Sequence, residues 1–430
     1  MPLPRALAPF RLGQYRVLAS AMFVSVFGTG MWAVALVQQV VRLGGSAVDL
    51  SGVTAVGALG IVAFVLVGGI AADRLPLAAV LRVVEAANAV TALAVTVLSL
   101  TGVLRLWHLA AAAFVFSATL GFFYPAYSAS LPRILPAHQL LAANGTEGTA
   151  RPLLQQAAGP AVAGVLIGIS APAGAVALIA LCHAVAFLLL LRLRMPDEPA
   201  RDGPAEAVAG RTAGEETTGG RASSVGEDLM EGVRYTLRTP WLLWTLLWAV
   251  LAVFLLLGPL EVLVPFIVQE RLGGDASTFG YLLACYGGAS ALASLAVASL
   301  PLPRRYLSWM IGLWGLGTLP FGLVATTDSF GVMALCLAAV GAGDGAGMVL
   351  WGTLLQRRVP RHMLGRVSSL DFFVSIALMP VSMALAGPVA QVVPLPVIFW
   401  TVALLTPLLG LAALWAGRMR EDELAHPLAG

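Results

Sequence analysis

Charge is scarce in this chain, and the few charged residues inside apolar stretches are the ones whose types and spacing could do chemistry. Asn144, Glu147, Arg151 and Gln155 recur at steps of three, four and four, which places them on one face of a helix with Glu147 and Arg151 within pairing reach. Such a stripe could line a water-filled cavity, with Glu147 taking up and releasing a proton, or it could clasp two helices near a membrane surface. Asp344 sits in the run Gly341-Ala342-Gly343-Asp344-Gly345-Ala346-Gly347, with no basic residue at helical spacing. It could bind a proton or substrate, or hydrogen-bond a neighbouring helix that the glycines admit. Glu261 lies between Pro259 and Pro265, as a cation-attracting group at a cavity mouth or an ordinary interfacial carboxylate. Arg82 and Glu85 are three apart and are expected to pair along a helix. Asp371 opens an apolar run, where a carboxylate stabilises a helix N-terminus. His183 stands alone in its apolar run and reads as a packed histidine.

The surroundings of these residues are apolar. Of the 430 residues, 59% are hydrophobic and 11% charged, whereas a soluble domain carries roughly 25% charged residues. A membrane protein fits this balance and a soluble one does not. The net charge of +3 is spread over short loops, so no nucleic-acid partner is expected. Cys182, Cys285 and Cys336 lie far apart in apolar runs, and neither a disulfide nor a metal centre is expected. There is no Gly-x-x-x-x-Gly-Lys loop, His-Glu-x-x-His or Cys-x-x-Cys; enzyme chemistry, ATP hydrolysis and bound cofactors therefore have no support.

Spanning hydrocarbon takes ~20 apolar residues, and twelve runs qualify: 17–41, 49–72, 77–101, 107–130, 141–169, 173–194, 240–267, 276–299, 306–326, 330–352, 368–392 and 396–417. The first is too long for a signal core and reads as a membrane helix. All 25 basic residues are arginine, and only Arg42, Arg105 and Arg271 fall on the side away from the termini. Cytoplasmic loops keep positive charge, so both termini are expected in the cytoplasm. The organisation expected is a six-helix half over 1–195, a cytoplasmic linker over 196–238, a second six-helix half over 239–418 and a tail over 419–430. The linker is Gly/Ala/Thr/Glu-rich, with the composition of flexible chain, and 225–237 is expected to form a short amphipathic surface helix. Trp241 reads as an interfacial anchor. The halves also repeat. Arg42-Leu43-Gly44-Gly45 returns as Arg271-Leu272-Gly273-Gly274, and Pro136-Ala137-His138 returns as Pro360-Arg361-His362, which sets Glu147 opposite Asp371. The expected fold class is an all-α membrane protein of twelve helices in two bundles related by pseudo-two-fold symmetry.

With these features the chain resembles the major facilitator superfamily from end to end. Gly69-Ile70-Ala71-Ala72-Asp73-Arg74 resembles the family's Gly-x-x-x-Asp-Arg loop, with glycine admitting a close helix. Leu77 and Ala78 stand where basic residues usually follow, and Arg82 could substitute one turn later. Gly159-Pro160-Ala161-Val162-Ala163-Gly164 is similar to the exporters' Gly-Pro-x-x-Gly-Gly helix motif, with Ala163 replacing one glycine. Phe123-Tyr124-Pro125-Ala126, Leu131-Pro132-Arg133, Gln356-Arg357-Arg358-Val359-Pro360 and Gly365-Arg366-Val367-Ser368 resemble the enterobactin-exporter-like branch, which contains siderophore, macrolide and tetracycline/aminoglycoside exporters. The resemblance implies alternating-access export of a small molecule driven by proton entry, with an amphipathic or cationic substrate and a monomeric transporter in the lipid bilayer. Import of a small nutrient is the alternative. It also implies that spans one and ten line a central cavity, so Trp32, Gln38 and Gln39 could contact substrate and Asp344 could carry the proton.

Overall fold

The computed structural model describes residues 5–195 and 225–428; the 196–224 part of the expected linker lies outside them. The described residues form helices and connecting turns, with no strand among them. Twelve helices are long and apolar enough to cross a bilayer: Gly13–Arg42, Ala47–Arg74, Leu77–Leu100, Leu106–Ile134, Thr146–Ile169, Pro172–Leu191, Pro240–Leu272, Ala276–Ala298, Tyr306–Val324, Phe330–Arg358, Arg366–Val392 and Leu395–Ala416, here spans 1 to 12. Hydrocarbon offers no partner for a backbone N–H or C=O, so each span must satisfy its own as a helix. Spans 4 and 10 outrun their apolar patterns, ending at Ile134 and Arg358 with arginines in the last turn. Cations favour that end of the helix dipole, so helicity outlasts the apolar run.

The internal repeat is visible in the turns. Gly44 and Gly273 both take positive φ, at 75° and 55°. Two residues on, Ser46 and Asp275 cap spans 2 and 8, each accepting from a backbone N–H three residues ahead, of Asp49 and Thr278. The bond from the Thr278 N–H holds the Asp275 carboxyl below the usual carboxylate range. Pro136 and Pro360 likewise precede the helices Ala137–Arg151 and Arg361–Ala377 that lead into spans 5 and 11.

Packing follows the same symmetry. Span 6 lies against spans 1 and 3, and span 12 against spans 7 and 9, while span 2 runs along span 4 and span 8 along span 10. The halves meet where span 2 packs on span 11 and span 5 on span 8. On the side away from the termini, one apolar cluster crosses both halves, including Met31, Leu50, Ile167, Ile267, Phe279 and Ala386. On the termini side the core is two clusters, one around Tyr15, Leu81 and Tyr127, the other around Trp241, Leu307 and Leu354. The buried apolar core is continuous across the halves on one side and divided between them on the other.

Small residues make the contacts between the halves. A Cβ on Gly164 would lie 2.6 Å from the Ala276 carbonyl oxygen, one on Gly280 2.5 Å from that of Pro160, and one on Gly387 2.4 Å from that of Ala47. The Ser277 hydroxyl donates to the Gly164 carbonyl at 3.1 Å across the same contact. Gly159 packs as tightly on span 1, where its Cβ would lie 2.8 Å from the Phe27 carbonyl oxygen. The Gly159-Pro160-Gly164 motif is thus the packing surface of span 5 against spans 1 and 8.

Two expectations change on the termini side, those for Trp241 and Gly69. Trp241 is buried, edge-on to Trp351 with the Arg358 guanidinium 5.1 Å from its ring, so it is core and not an interfacial anchor. The tail folds back as the helix Met419–Ala425, and buried Glu423 accepts from the N–H groups of Leu307 and Ser308 at 2.9 and 3.0 Å, capping span 9. Gly69 meets nothing within 4 Å; the close approach to span 4 is made by Gly68, whose Cβ would fall on the Gly121 carbonyl. The surface helix forms over Val225–Arg238, with Glu231 paired to Arg366.

Gly280→Leu is expected to insert but to lose the close contact of spans 5 and 8, with destabilisation of about 1–3 kcal/mol from overpacking. Spin-label distances between the ends of spans 5 and 8 away from the termini should lengthen; unchanged distances would contradict that contact. Glu423→Ala leaves the buried Leu307 N–H and the half-buried Ser308 N–H without that acceptor, and thermal unfolding should show a loss on the order of 1–3 kcal/mol.

Candidate functional site

Two spans pass through π-helical turns, and both turns begin at a proline. Span 5 passes through a π-helical segment over Pro152–Ala158 and span 7 through another over Pro259–Leu263. Proline has no N–H to continue the ladder, and π turns widen a helix locally and re-aim its side chains. The first carries Gln155 and Gln156, the second Glu261, and all three line one cavity between the halves. Its volume is about 430 Å³.

Each widened turn packs against protein on one face. At span 5, Gly30 and Gly287 admit the turn, since a Cβ on either would fall within 2.4 Å of backbone at Gln155 or Gln156. At span 7, the Ser382 hydroxyl accepts from the Gly258 N–H at 2.9 Å and donates to the Phe254 carbonyl at 2.6 Å. That hydroxyl stands between two backbone groups four residues apart and satisfies both, as a hydroxyl from a neighbouring helix can.

The cavity walls are mainly apolar, with Trp32, Leu36, Leu257, Phe279, Met379 and Met383 beside Thr29, Thr54, Ser117 and the two glutamines. Trp32 is stacked on Phe116 at 4.7 Å. Glu261 is the one carboxylate among the lining residues, and no arginine or histidine lines the cavity with it. Tyr286 also lines the cavity, and its hydroxyl donates to Asp344 at 3.3 Å. Glu261 therefore meets the cavity directly, whereas Asp344 lies behind Tyr286. Glu261 is exposed to that cavity, and an acid within a membrane span with no base beside it calls for a proton or a cation.

The other expected residues divide. Glu147 and Arg151 pair along the helix, and the Arg151 guanidinium lies 3.9 Å from the Tyr124 ring centre. Only Gln155 of that stripe lines the cavity; the side chain of Asn144 lies outside the description, as does that of Asp73. Arg74 is exposed. Gln38 lines a separate cavity on the side away from the termini, with Gln269 and Asp275. Gln39 is buried and exchanges hydrogen bonds with Ser99, so it does not face the central cavity. Arg82 and Glu85 do not pair: Arg82 donates to the carbonyls of Leu190 and Leu193 at 2.9 and 3.0 Å, and Glu85 turns inward to Ser25 and His183. Asp371 lies three turns into the helix Arg361–Ala377 and accepts from the Trp351 indole at 3.0 Å, so it is not an N-terminal residue. Sequence reasoning missed Gln156 and Tyr286. The doubled Gln155-Gln156 next to Pro152 was the available signal for the first, and nothing local marked the second.

Twelve spans around a cavity at the junction of two halves define a membrane transporter. The chain matches the Major Facilitator Superfamily over residues 18–375, with a second match over 260–429, and it belongs to that family. It is 27% identical over 432 residues to the Multidrug efflux pump Tap of Mycolicibacterium fortuitum, spanning 96% of this chain and 98% of the pump. Two solved structures share its fold at 12% identity: a POT family transporter in complex with 5-aminolevulinic acid, with TM-score 0.69 over 94% of this chain and 96% of that one, and a D-xylose-proton symporter, with TM-score 0.64 over 96% and 99%.

Ser382→Ala should destabilise the protein by about 1–3 kcal/mol, because the Gly258 N–H and Phe254 carbonyl lose their partner where water is scarce. Ser382→Thr keeps the hydroxyl and should recover most of that loss in a thermal unfolding assay.

Proposed function

We propose that this transporter exports amphipathic, cationic small molecules across the cytoplasmic membrane in exchange for protons. The observation that carries the reading is Glu261, an acid without a neighbouring base in a cavity of apolar walls. An amphipathic cation suits that chemistry, with its apolar body against Trp32 and Phe279 and its charge at Glu261. Met379 and Met383 add unbranched, adaptable surface for substrates of differing shape. Proton and cation compete for the same acid: binding one favours release of the other, and each biases which side of the cavity is open.

The likeness to Tap along nearly the whole of both chains supports export. Import has only the shared fold on its side. Both termini face the cytoplasm in this reading, by the arginine distribution, and the side where the core is divided is then the cytoplasmic one from which an exporter loads. Asp344 reports on the cavity through Tyr286, and Glu147 with Arg151 holds the cytoplasmic end of span 5.

A susceptible host expressing the protein should tolerate lipophilic cations better, and a protonophore should abolish the difference. Glu261→Gln should lower efflux of a permanently charged cation at least tenfold, about 1.4 kcal/mol, with the protein still present in the membrane. Wild-type efflux by that variant removes Glu261 from the mechanism. Asp344→Asn should alter the pH dependence of efflux more than the apparent affinity for the cation.

A further inference from the structure

A second group of ionisable side chains lies inside the first half. Glu85 on span 3 accepts from the Ser25 hydroxyl of span 1 at 2.6 Å and meets Nδ1 of His183 on span 6 at 2.8 Å. Both Glu85 and His183 are fully buried, at 0% exposure. The other ring nitrogen, Nε2 of His183, is buried with no hydrogen-bond partner. It faces Gly28, where an added Cβ would lie 3.5 Å away.

The geometry fits one arrangement of donors. An imidazolium would leave a charged N–H at Nε2 with nothing to accept it, whereas a neutral ring donating from Nδ1 leaves only a lone pair unused. In that arrangement Glu85 meets two donors, Ser25 and His183, and no arginine. One further proton on Glu85 removes the charge and keeps both contacts, because the Ser25 hydroxyl accepts as readily as it donates.

The groups facing the cluster leave this intact. Arg82, one turn away on span 3, is committed to the Leu190 and Leu193 carbonyls. From span 4, the Phe116 ring packs on His183 at 5.5 Å and Thr119 hydrogen-bonds Asn88. Span 6 adds Cys182 near Gly28. On span 5, Arg151 pairs with Glu147 and lies against Tyr124. Among the described residues, no arginine contacts Glu85.

A small gap, half of its lining polar, lies beside Ser25 of the cluster and shares two lining residues with the central cavity. The gap, of about 10 Å³, close to the room one water needs, is lined by Ser25, Thr29, Asn88, Tyr124 and Gln155 among others. Thr29 and Gln155 also line the central cavity.

We propose that Glu85, with Ser25 and His183, is a one-proton binding site inside the first half, filled and emptied from the central cavity through the gap at Asn88. Glu85 takes up the proton as a carboxylic acid and releases it as a carboxylate; His183 orients it. The three residues tie spans 1, 3 and 6 together, so occupancy changes how firmly those helices hold one another. The role of this site in transport rests on the proton-exchange reading above, but its existence does not.

The test is pH-difference infrared spectroscopy on the full-length protein in lipid. A carbonyl band of a buried carboxylic acid is expected to titrate in the wild type, to be lost in Glu85→Gln and to shift in His183→Asn. Asn88→Leu should keep the band and slow its hydrogen–deuterium exchange. If Glu85→Gln does not fold, the shift in His183→Asn and in Ser25→Ala carries the test. A titrating band unchanged in Glu85→Gln, or unshifted in the two substitutes, overturns the site. A band lost with Glu85 while Glu85→Gln retains protonophore-sensitive efflux upholds the site and overturns its part in transport.

Discussion

The constraint on which the rest of this structure depends is that hydrocarbon cannot hydrogen-bond the backbone. Every span must satisfy its own N–H and C=O groups, so helices are obligatory and an irregular turn is tolerated only where protein encloses it. The two π-helical segments obey that rule. Pro152 and Pro259 each remove one donor, and the turns that result lie between the halves, against Gly30 and Gly287 in one case and against the Ser382 hydroxyl in the other. Because the irregular turns must face inward, the polar side chains they carry must too. Gln155, Gln156 and Glu261 reach the cavity for that reason.

The same economy of polar groups separates scaffold from candidate machinery. Most acids within the spans are matched on the spot: Glu147 by Arg151, Asp371 by the Trp351 indole, Asp344 by the Tyr286 hydroxyl. Glu261 has only the cavity before it. Glu85 is held by hydrogen bonds without a neighbouring cation. A buried acid held without a cation is costly as a carboxylate, so uptake of a proton at Glu85 changes the energy of the protein, while Glu261 meets the cavity that a cation would enter. They lie in different halves.

Much of the fold was legible in the sequence because its signals are local. Apolar runs located twelve spans, and Gly44 and Gly273 exposed the repeat that the structure shows as matched left-handed turns. The pairing of Glu147 with Arg151 followed from helical spacing alone. What failed was every contact between residues remote in the chain. Glu85 was assigned to Arg82 three residues away, yet its partners lie 60 and 98 residues off. Gln39 finds Ser99 60 residues on. Helical periodicity says which residues share a face but not which helix that face meets. The π turns were hidden for a related reason: proline marks an interruption, and only the neighbouring helices decide whether it becomes a kink, a break or a widened turn. Trp241 was misplaced because a tryptophan at the end of an apolar run looks the same to the sequence whether lipid or Trp351 stands beside it.

The central claim is that a cation and a proton exclude each other from the acids between the two halves. Calorimetric titration of the purified transporter with tetraphenylphosphonium, in two buffers of different ionisation enthalpy, counts the protons released as the cation binds. Near neutral pH the heats should differ between the buffers and correspond to net proton release, with the difference removed in Glu261→Gln. Saturable binding with identical heats in both buffers would mean that the cation enters without displacing a proton, and the exchange mechanism would be wrong.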